Sequence, residues 1–362
     1  MWRALRAELI REQAKFAIML GDQVYADEDG QAWQRCMEID DDDPDSHSRR
    51  TAIYRGLYSK YWNIPDVKNV MANFPCYMIW DDHDITNGWG SSSSHREDKE
   101  QNVFRVARQA YIDFQHSHNP QNTLTPSALY YGFRVGCSAF IALDLRGHRQ
   151  VWNSQLLGQA QKDWLEDFMT TSCRDAKVLF IISSVPVFHL DARWAWIPYP
   201  DITDQWSDEH NKGDRKWLMQ RLFDWIKEDH VRQVVILGGD VHVGTFATVT
   251  ILDERGEPTG DKIIQATSSP ISNKAASFID IFQRKASASF DTETESGQKI
   301  HVDISPRYPA RNFLMVTVDS TSDPDKPTVR FKMHWEGKKN PDPYPGEQGH
   351  GGFFNFRGRR FR

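Results

Sequence analysis

Three short runs carry residue types and spacings from which a polynuclear metal site can be built: Leu20-Gly21-Asp22-Gln23-Val24-Tyr25, Trp80-Asp81-Asp82-His83-Asp84 and Gly238-Gly239-Asp240-Val241-His242. Each follows an apolar, β-branched stretch, so each sets Asp, His or Tyr where a buried strand opens into a loop. In open α/β sheets, ligands bind just beyond the carboxyl ends of strands. Carboxylates converging there repel one another and resist ionisation unless a cation neutralises them. Aspartate suits hard cations, imidazole suits transition metals, and a tyrosinate oxygen selects a strongly Lewis-acidic ion such as Fe(III). The chemistry such a site supports is hydrolytic.

The spacing within each run adds detail. Asp22 and Tyr25 lie three residues apart in one turn and can address a single metal. Asp82 and His83 leave their strand together, so one can face the metals while the other faces a leaving group. Asp240 and His242 form an i, i+2 pair, and Gly238 and Gly239 before them permit close backbone approach. Any one run alone reads as turn or cap chemistry; three at successive strand ends do not. The sequence contains no GxSxG, HExxH, GxxxxGK[ST] or GxGxxG, which removes the common serine-hydrolase, zincin, P-loop and dinucleotide signatures.

The elements that must hold these loops are legible as apolar runs. A charged amphipathic helix from Met1 to Glu12 carries Trp2, Leu5 and Leu9 on one face and leads into a strand at Lys15–Leu20. Residues 51–74 read as helical, Cys76–Trp80 as a short buried strand, and Gln101–His116 as an amphipathic helix. Ala139–Leu143, Val178–Ile182 and Val234–Leu237 are continuous apolar strands separated by helical stretches at 154–171 and 214–229. After His242 the pattern changes to successive strands at Phe246–Leu252, Lys262–Ala266, Asn312–Val318 and Thr328–Trp335. This order predicts an α/β fold of two sheets packed face to face with helices outside. Gly88–Ser94 reads as a flexible loop, a candidate lid beside the second run. Asp40–Asp43 and Asp45 form an acidic surface loop without the ligand pattern of an EF-hand.

Composition bounds the function. The 362 residues are 39% hydrophobic, enough for one large domain or two ordinary ones. Lys and Arg total 44 against 50 Asp and Glu, a net charge of −6, which argues against a basic nucleic-acid binder. No apolar stretch approaches the roughly 20 residues of a membrane span. Cys36, Cys76, Cys137 and Cys173 show neither CxxC spacing nor disulfide-scaffold density. The first helix lacks the apolar core of a secretory signal.

The order GDQVYAD, WDDHD, LDLRGHR, GGDVHVG resembles the alkaline phosphatase D (PhoD-like) branch of the calcineurin-like metallophosphoesterases. The likeness runs from about residue 15 to 320, and WDDHDITNGWG is specific to that branch. The resemblance implies a metallophosphoesterase-like sandwich, iron with calcium as metals (other divalent ions being open), and hydrolysis of phosphate mono- or diesters by in-line attack of a metal-activated water or hydroxide. Asp22 matches the metal-bridging aspartate and Tyr25 the tyrosinate ligand of the branch. Asp82 stands where an Asn ligand is usual, and Asp240 and His242 replace the GHxH pair. His83 stands at the histidine that assists the leaving oxygen. Asp144 and Arg146 match a DxR element, making Arg146 a candidate phosphate clamp. The fourth superfamily motif falls at Ser183–His189 with no His directly after the strand, so His189 would have to reach the site from its loop. Asn273 lies in a polar loop typical of the family and receives no role.

Family members also carry a ligand motif on a strand before the GD run, where this chain has a helix. The expectation is therefore a metallophosphatase domain over residues 1–340, truncated at its N-terminus, followed by a Gly/Arg-rich tail over 341–362. The β-edge of Lys15–Leu20 should then lack a neighbour. The rival readings are a metal-binding or scaffold protein that keeps the fold without turnover, and a nucleic-acid-binding module built on Arg357–Arg362. The expected partner is a phosphate-ester small molecule or phosphodiester, with nucleic acid only as substrate. The compartment stays open between cytoplasm, if the chain is complete, and export, if a leader precedes Met1.

Overall fold

The computed structural model describes residues 1–28, 31–122, 127–150, 153–191, 202–275, 288–305 and 307–337. Its backbone is an eight-stranded mixed sheet of order β3-β4-β5-β6-β8-β7-β10-β9. β4 (Ser138–Ala142), β5 (Val178–Ser183), β6 (Gln233–Gly238) and β8 (Pro258–Thr267) run parallel. β3 (Tyr131–Val135) on one side, and β7 (Thr245–Leu252), β10 (Lys299–Ile304) and β9 (Ser289–Glu293) on the other, pair antiparallel. Helices α6 (Gln159–Thr171) and α7 (Lys212–Glu228) are the crossovers that parallel strands require.

Both faces of this sheet are buried, which is why its central strands are unbroken apolar runs. The row Ile141–Ile181–Ile236 faces α6 and α7, where Leu218, Leu222 and Ile226 sit at helical spacing. The alternate residues Phe140, Phe180, Ile182, Val235 and Leu237 face the other way. They meet two separate strand pairs: β1 (Ala17–Leu20) with β2 (Cys76–Ile79), parallel, and β11 (Asn312–Asp319) with β12 (Thr328–Trp335), antiparallel. The expected sandwich is present, its second layer split into these two pairs. Helices α2 (Ala32–Met37), α3 (Ser46–Trp62) and α5 (Asp98–Phe114) enclose Trp80 in a neighbouring core.

The expected helix at 51–74 is two helices, because Pro65 occupies the first turn of α4 (Pro65–Met71) and starts it afresh. α1 (Trp2–Arg11) lies beside β1. β3, β9, β10 and α2 escaped the sequence reading. Among the described residues the edge of β1 away from β2 has no strand on it, and it opens onto a groove of about 860 Å³ whose opposite wall is β11. Residues beyond Gly337, including Arg357–Arg362, lie outside the described residues.

Candidate metal centre

The site is assembled where β1, β2 and β6 end. After Leu20 the chain turns through Gly21 at φ +96° and Asp22 at φ +54°. Only glycine serves at position 21, since a Cβ there would lie 2.6 Å from the Cβ of Asp81. That close approach brings the β1 and β2 loops together. Asp240 and His242 also hold positive φ, 61° and 52°. An L side chain in this region costs roughly 1–2 kcal/mol, so three strained non-glycine residues at one locus mark a place where geometry outweighs local preference.

Asp81 caps a short 3₁₀ turn over Asp82–Asp84, with the reciprocal bonds of a capping box. Asp84 is the clasp between loops. Its Oδ2 accepts the backbone N–H of Asp22 and of Asp81, both at 3.0 Å. Its Oδ1 accepts from Tyr58 at 3.2 Å and Gln115 at 2.8 Å. Burial pushes its carboxyl up to about 7, against the pull of these donors.

Asp22, Asp81, Asp82 and Asp240 each offer a carboxylate oxygen, and these oxygens lie within 4.8 Å of one another; Asp22, Asp82 and His83 form a second such group. At an effective dielectric of about 20, charges this close repel by on the order of 3–4 kcal/mol per pair. Arg146 is the cation set against them: its Nε donates to Asp81, and its Nη2 stands 3.4 Å from Asp82. Nη1 is 3.3 Å from Asp204, which Arg149 also pairs. Even with the His83 imidazole opposing the rise at Asp22, one guanidinium shared with a further aspartate does not balance four carboxylates. Accordingly burial, reinforced by the neighbouring aspartates, raises Asp22 and Asp240 well above the usual carboxylate range. Burial likewise takes Asp81 to about 6 although Arg146 opposes it.

Three buried oxygens in the cluster, Asp22 Oδ1, Asp81 Oδ2 and Asp82 Oδ1, have no hydrogen-bond partner. Asp82 Oδ1 has only the 3.4 Å approach of Arg146 Nη2; buried carboxylate oxygens without hydrogen bonds are costly, and a polyvalent cation among them would satisfy all three. The donor set fits hard, oxygen-loving ions, and Tyr25 and His242 stand beside it. Tyr25 OH lies 3.4 Å from Asp22 Oδ2 and 3.2 Å from His242 Nε2. Burial, then the Asp22 charge, raises this phenol above its ordinary value.

His83 sits at the rim with its ring tilted on Tyr25, centroids 4.4 Å apart. Nδ1 is 2.8 Å from Asp27 Oδ1. Burial by itself would lower the imidazole, but Asp27, Asp22 and Asp82 together hold it up at about 11, so it carries its proton at neutral pH.

A PhoD-like phosphatase family model matches residues 1–304. The chain belongs to the PhoD-like phosphatase family. Alkaline phosphatase D of Bacillus subtilis (strain 168) is 25% identical over 245 residues, 59% of this chain and 38% of that protein. The chain thus spans about two fifths of the length of that curated relative. A solved structure of PhoD aligns over 80% of this chain and 60% of its own, with 19% identity and a TM-score of 0.48. Purple acid phosphatase PPD1 from yellow lupin seeds covers 92% of this chain and 47% of its own, with 10% identity and a TM-score of 0.48.

Within this PhoD-like site, the structure gathers Asp22, Tyr25, Asp82, His83, Asp240 and His242 at one place. The structure also places Arg146 and His189. Arg146 is 1% exposed among Asp81, Asp82 and Asp204, so it stands as a buried counter-charge to protein carboxylates, its Nη2 without a hydrogen bond. His189 is buried with Arg307 Nε 3.4 Å from its Nδ1, and burial and that charge hold it well below its ordinary pKa. It stands outside the carboxylate groups.

Gly88–Ser94 does adjoin the site, but its first part is anchored and not a free lid. Gly88 N–H donates to Asp82 Oδ2 at 2.6 Å, and Trp89 is buried against Trp33, Phe104 and His95. Sequence reasoning missed Asp81, Asp27, Asp204 and Asn273. Asn273, left without a role, hydrogen-bonds the Tyr25 side chain. Asp81 had a signal in the Asp81-x-x-Asp84 capping spacing.

Proposed function

We propose that the chain is a metal-dependent hydrolase of phosphate mono- or diesters. The observation that carries this is the group of four carboxylates, three with an unpartnered buried oxygen, built at converging strand ends in a member of the PhoD-like phosphatase family. Asp22, Tyr25, Asp82, Asp240 and His242 would hold the metals, with Asp81 added by its geometry. The resemblance favours iron with calcium. Bound cations would supply Lewis acidity toward phosphoryl oxygens and toward water.

The chain's own groups have separate tasks. Asp84 and Gly21 fix the spacing of the Asp22 and Asp81 loops. Arg146, backed by Asp204, positions Asp81 and Asp82 as a buried counter-charge. Asn273 and His242 orient the Tyr25 oxygen. Asp27 engages His83 at Nδ1, leaving Nε2 as the nitrogen that gives a proton to the departing oxygen in an in-line displacement.

Elemental analysis combined with hydrolysis of chromogenic mono- and diesters tests the reading. Wild type should hold metal and turn over at least one of them, and Asp240→Ala should lose both. Stoichiometric metal without turnover of either ester would replace it with the non-catalytic, metal-holding alternative.

A further inference from the structure

Asp82 commits one of its two oxygens to the backbone. Gly88 N–H donates to Oδ2 at 2.6 Å, whereas the buried Oδ1 has no hydrogen bond. Which oxygen Asp82 keeps for a cation is therefore set by where Gly88 stands. That glycine lies at φ +68° in a tight turn, with Trp89 N–H donating to Thr86 O at 3.1 Å and Ser91 N–H to Gly88 O at 3.0 Å. Two local bonds hold a loop only weakly. What secures this one lies behind it.

Two arginines close on the next carbonyl. Arg149 Nη1 donates to Trp89 O at 3.1 Å, and Arg146 Nη1 reaches the same oxygen at 3.4 Å. They converge because Asp144 Oδ1 accepts the N–H of Arg146 at 3.1 Å and of Gly147 at 2.8 Å, curling the chain so that residues three apart share a side. Arg149 also donates to Asp204 and, through Nη2, to Thr203 O at 2.6 Å. Its stem packs on Gly90, where a Cβ would lie 2.9 Å from Arg149 Cγ. The Trp89 ring is held separately, stacked on His95 and on Phe104 with centroids 4.6 Å away in each case. Arg149 thus ties three segments together. Among the described residues its ion pair is with Asp204, not with Asp81 or Asp82.

We propose that Arg149 is a positioning residue of the metal centre: by holding the Trp89 carbonyl and Asp204 at once, it fixes the Gly88 turn on Asp82 Oδ2 and so keeps Oδ1 for the ion. Its action is indirect. Without it, Asp204 loses its second cation and draws Arg146 Nη1 from Trp89 O, so both supports of that carbonyl fail together. A lysine keeps the charge beside Asp204 but lacks the planar fork that serves several acceptors in one geometry. The assignment deepens the metal-site reading and rests on it for what Asp82 holds; the control of Gly88 does not depend on that reading.

Residue-resolved hydrogen exchange on the full chain, freed of metal by chelation, tests it. Arg149→Met should speed exchange of the Gly88 N–H at least about tenfold, while the amides of Ile181 and Leu222 at the closed face of the sheet keep their wild-type rates. Arg149→Lys should accelerate Gly88 by a smaller factor, and it carries the test should the Met variant fail to fold. Calcium titrated against a chelating dye should bind both variants more weakly than wild type, in the same order. Unchanged Gly88 exchange in the folded variants would overturn the proposal. So would equal acceleration at Gly88, Ile181 and Leu222, which makes Arg149 a general structural support, or a faster Gly88 with undiminished calcium affinity. A wild type that binds no calcium while its Gly88 still depends on Arg149 counts against the metal reading and upholds the positioning of Asp82.

Discussion

The two faces of the eight-stranded sheet solve the same problem in opposite ways. Toward α6 and α7 the sheet meets two long helices whose Leu218, Leu222 and Ile226 close a continuous apolar layer. Toward the strand pairs it meets β1/β2 and β11/β12, with a groove between them and the carboxylate cluster at its end. The closed face is held by dispersion and burial spread over many side chains. The open face depends on a few polar clasps, Asp84 and Arg146 foremost. Stability is thus distributed on one side and concentrated on the other, and the carboxylate cluster occupies the concentrated side.

The largest effects should come from the open face and appear in turnover. Asp82→Ala and Asp240→Ala should reduce both metal content and ester hydrolysis to background. His83→Ala should leave metal content near wild type and lower kcat by about 10²–10⁴-fold, the range of a lost general acid. Elemental analysis alongside kcat separates these, and a His83→Ala protein as metal-poor as Asp82→Ala would make His83 a ligand.

Next in size is a direct contest between clasp and core. Asp84→Ala strips the acceptor from two loop N–H groups, Tyr58 and Gln115, at a cost on the order of 3–5 kcal/mol for the groups left unsatisfied. Leu222→Ala, fully buried under the sheet, should cost about 2–5 kcal/mol through its cavity. Urea unfolding should find the two comparable, while only Asp84→Ala also weakens metal retention. An Asp84→Ala protein with wild-type stability would remove the clasp from the comparison.

A smaller effect concerns pH. A carboxyl raised by folding contributes stability that is present below its unfolded pKa, near 4, and is lost as pH rises through the folded value. Asp81 at about 6, with Asp22 and Asp240 also raised, should therefore make chelated protein progressively less stable from about pH 4 through 6 and beyond. The Tm gap between metal-loaded and chelated protein should widen over that range; a constant gap would show that the cluster is already compensated. Smallest of all, Ile18→Ala in the half-buried groove wall should cost less than Ile181→Ala at the closed face, for which about 2–5 kcal/mol is expected.

Legibility in the sequence divides along the same line. Strands buried on both faces announce themselves as apolar runs, so β4, β5 and β6 and the loops they feed were readable, as were Asp22, Tyr25, Asp240 and His242. β9 and β10 were not, because at Ser289–Glu293 and Lys299–Ile304 polar residues alternate with single apolar ones in segments too short to stand out. The split of the second layer depends on which edges find partners, a long-range matter that local pattern does not encode. Arg146 shows the limit for roles: its LDLR context identifies a strand-end arginine, but only the fold reveals Asp81, Asp82 and Asp204 around it. Asp204 ends a one-turn 3₁₀ helix and Asn273 sits in a loop, both too short for any periodicity to point to them.

The Asp84 carboxylate has one further consequence, for motion. Because one oxygen receives an N–H from the β1 loop and another from the β2 loop, neither loop can be displaced without dragging its neighbour. The site's slow fluctuations reduce to a single collective opening in place of two independent ones. Amide exchange at Asp22 and Asp81 should accordingly share one opening rate, and a cation that steadies either loop steadies both.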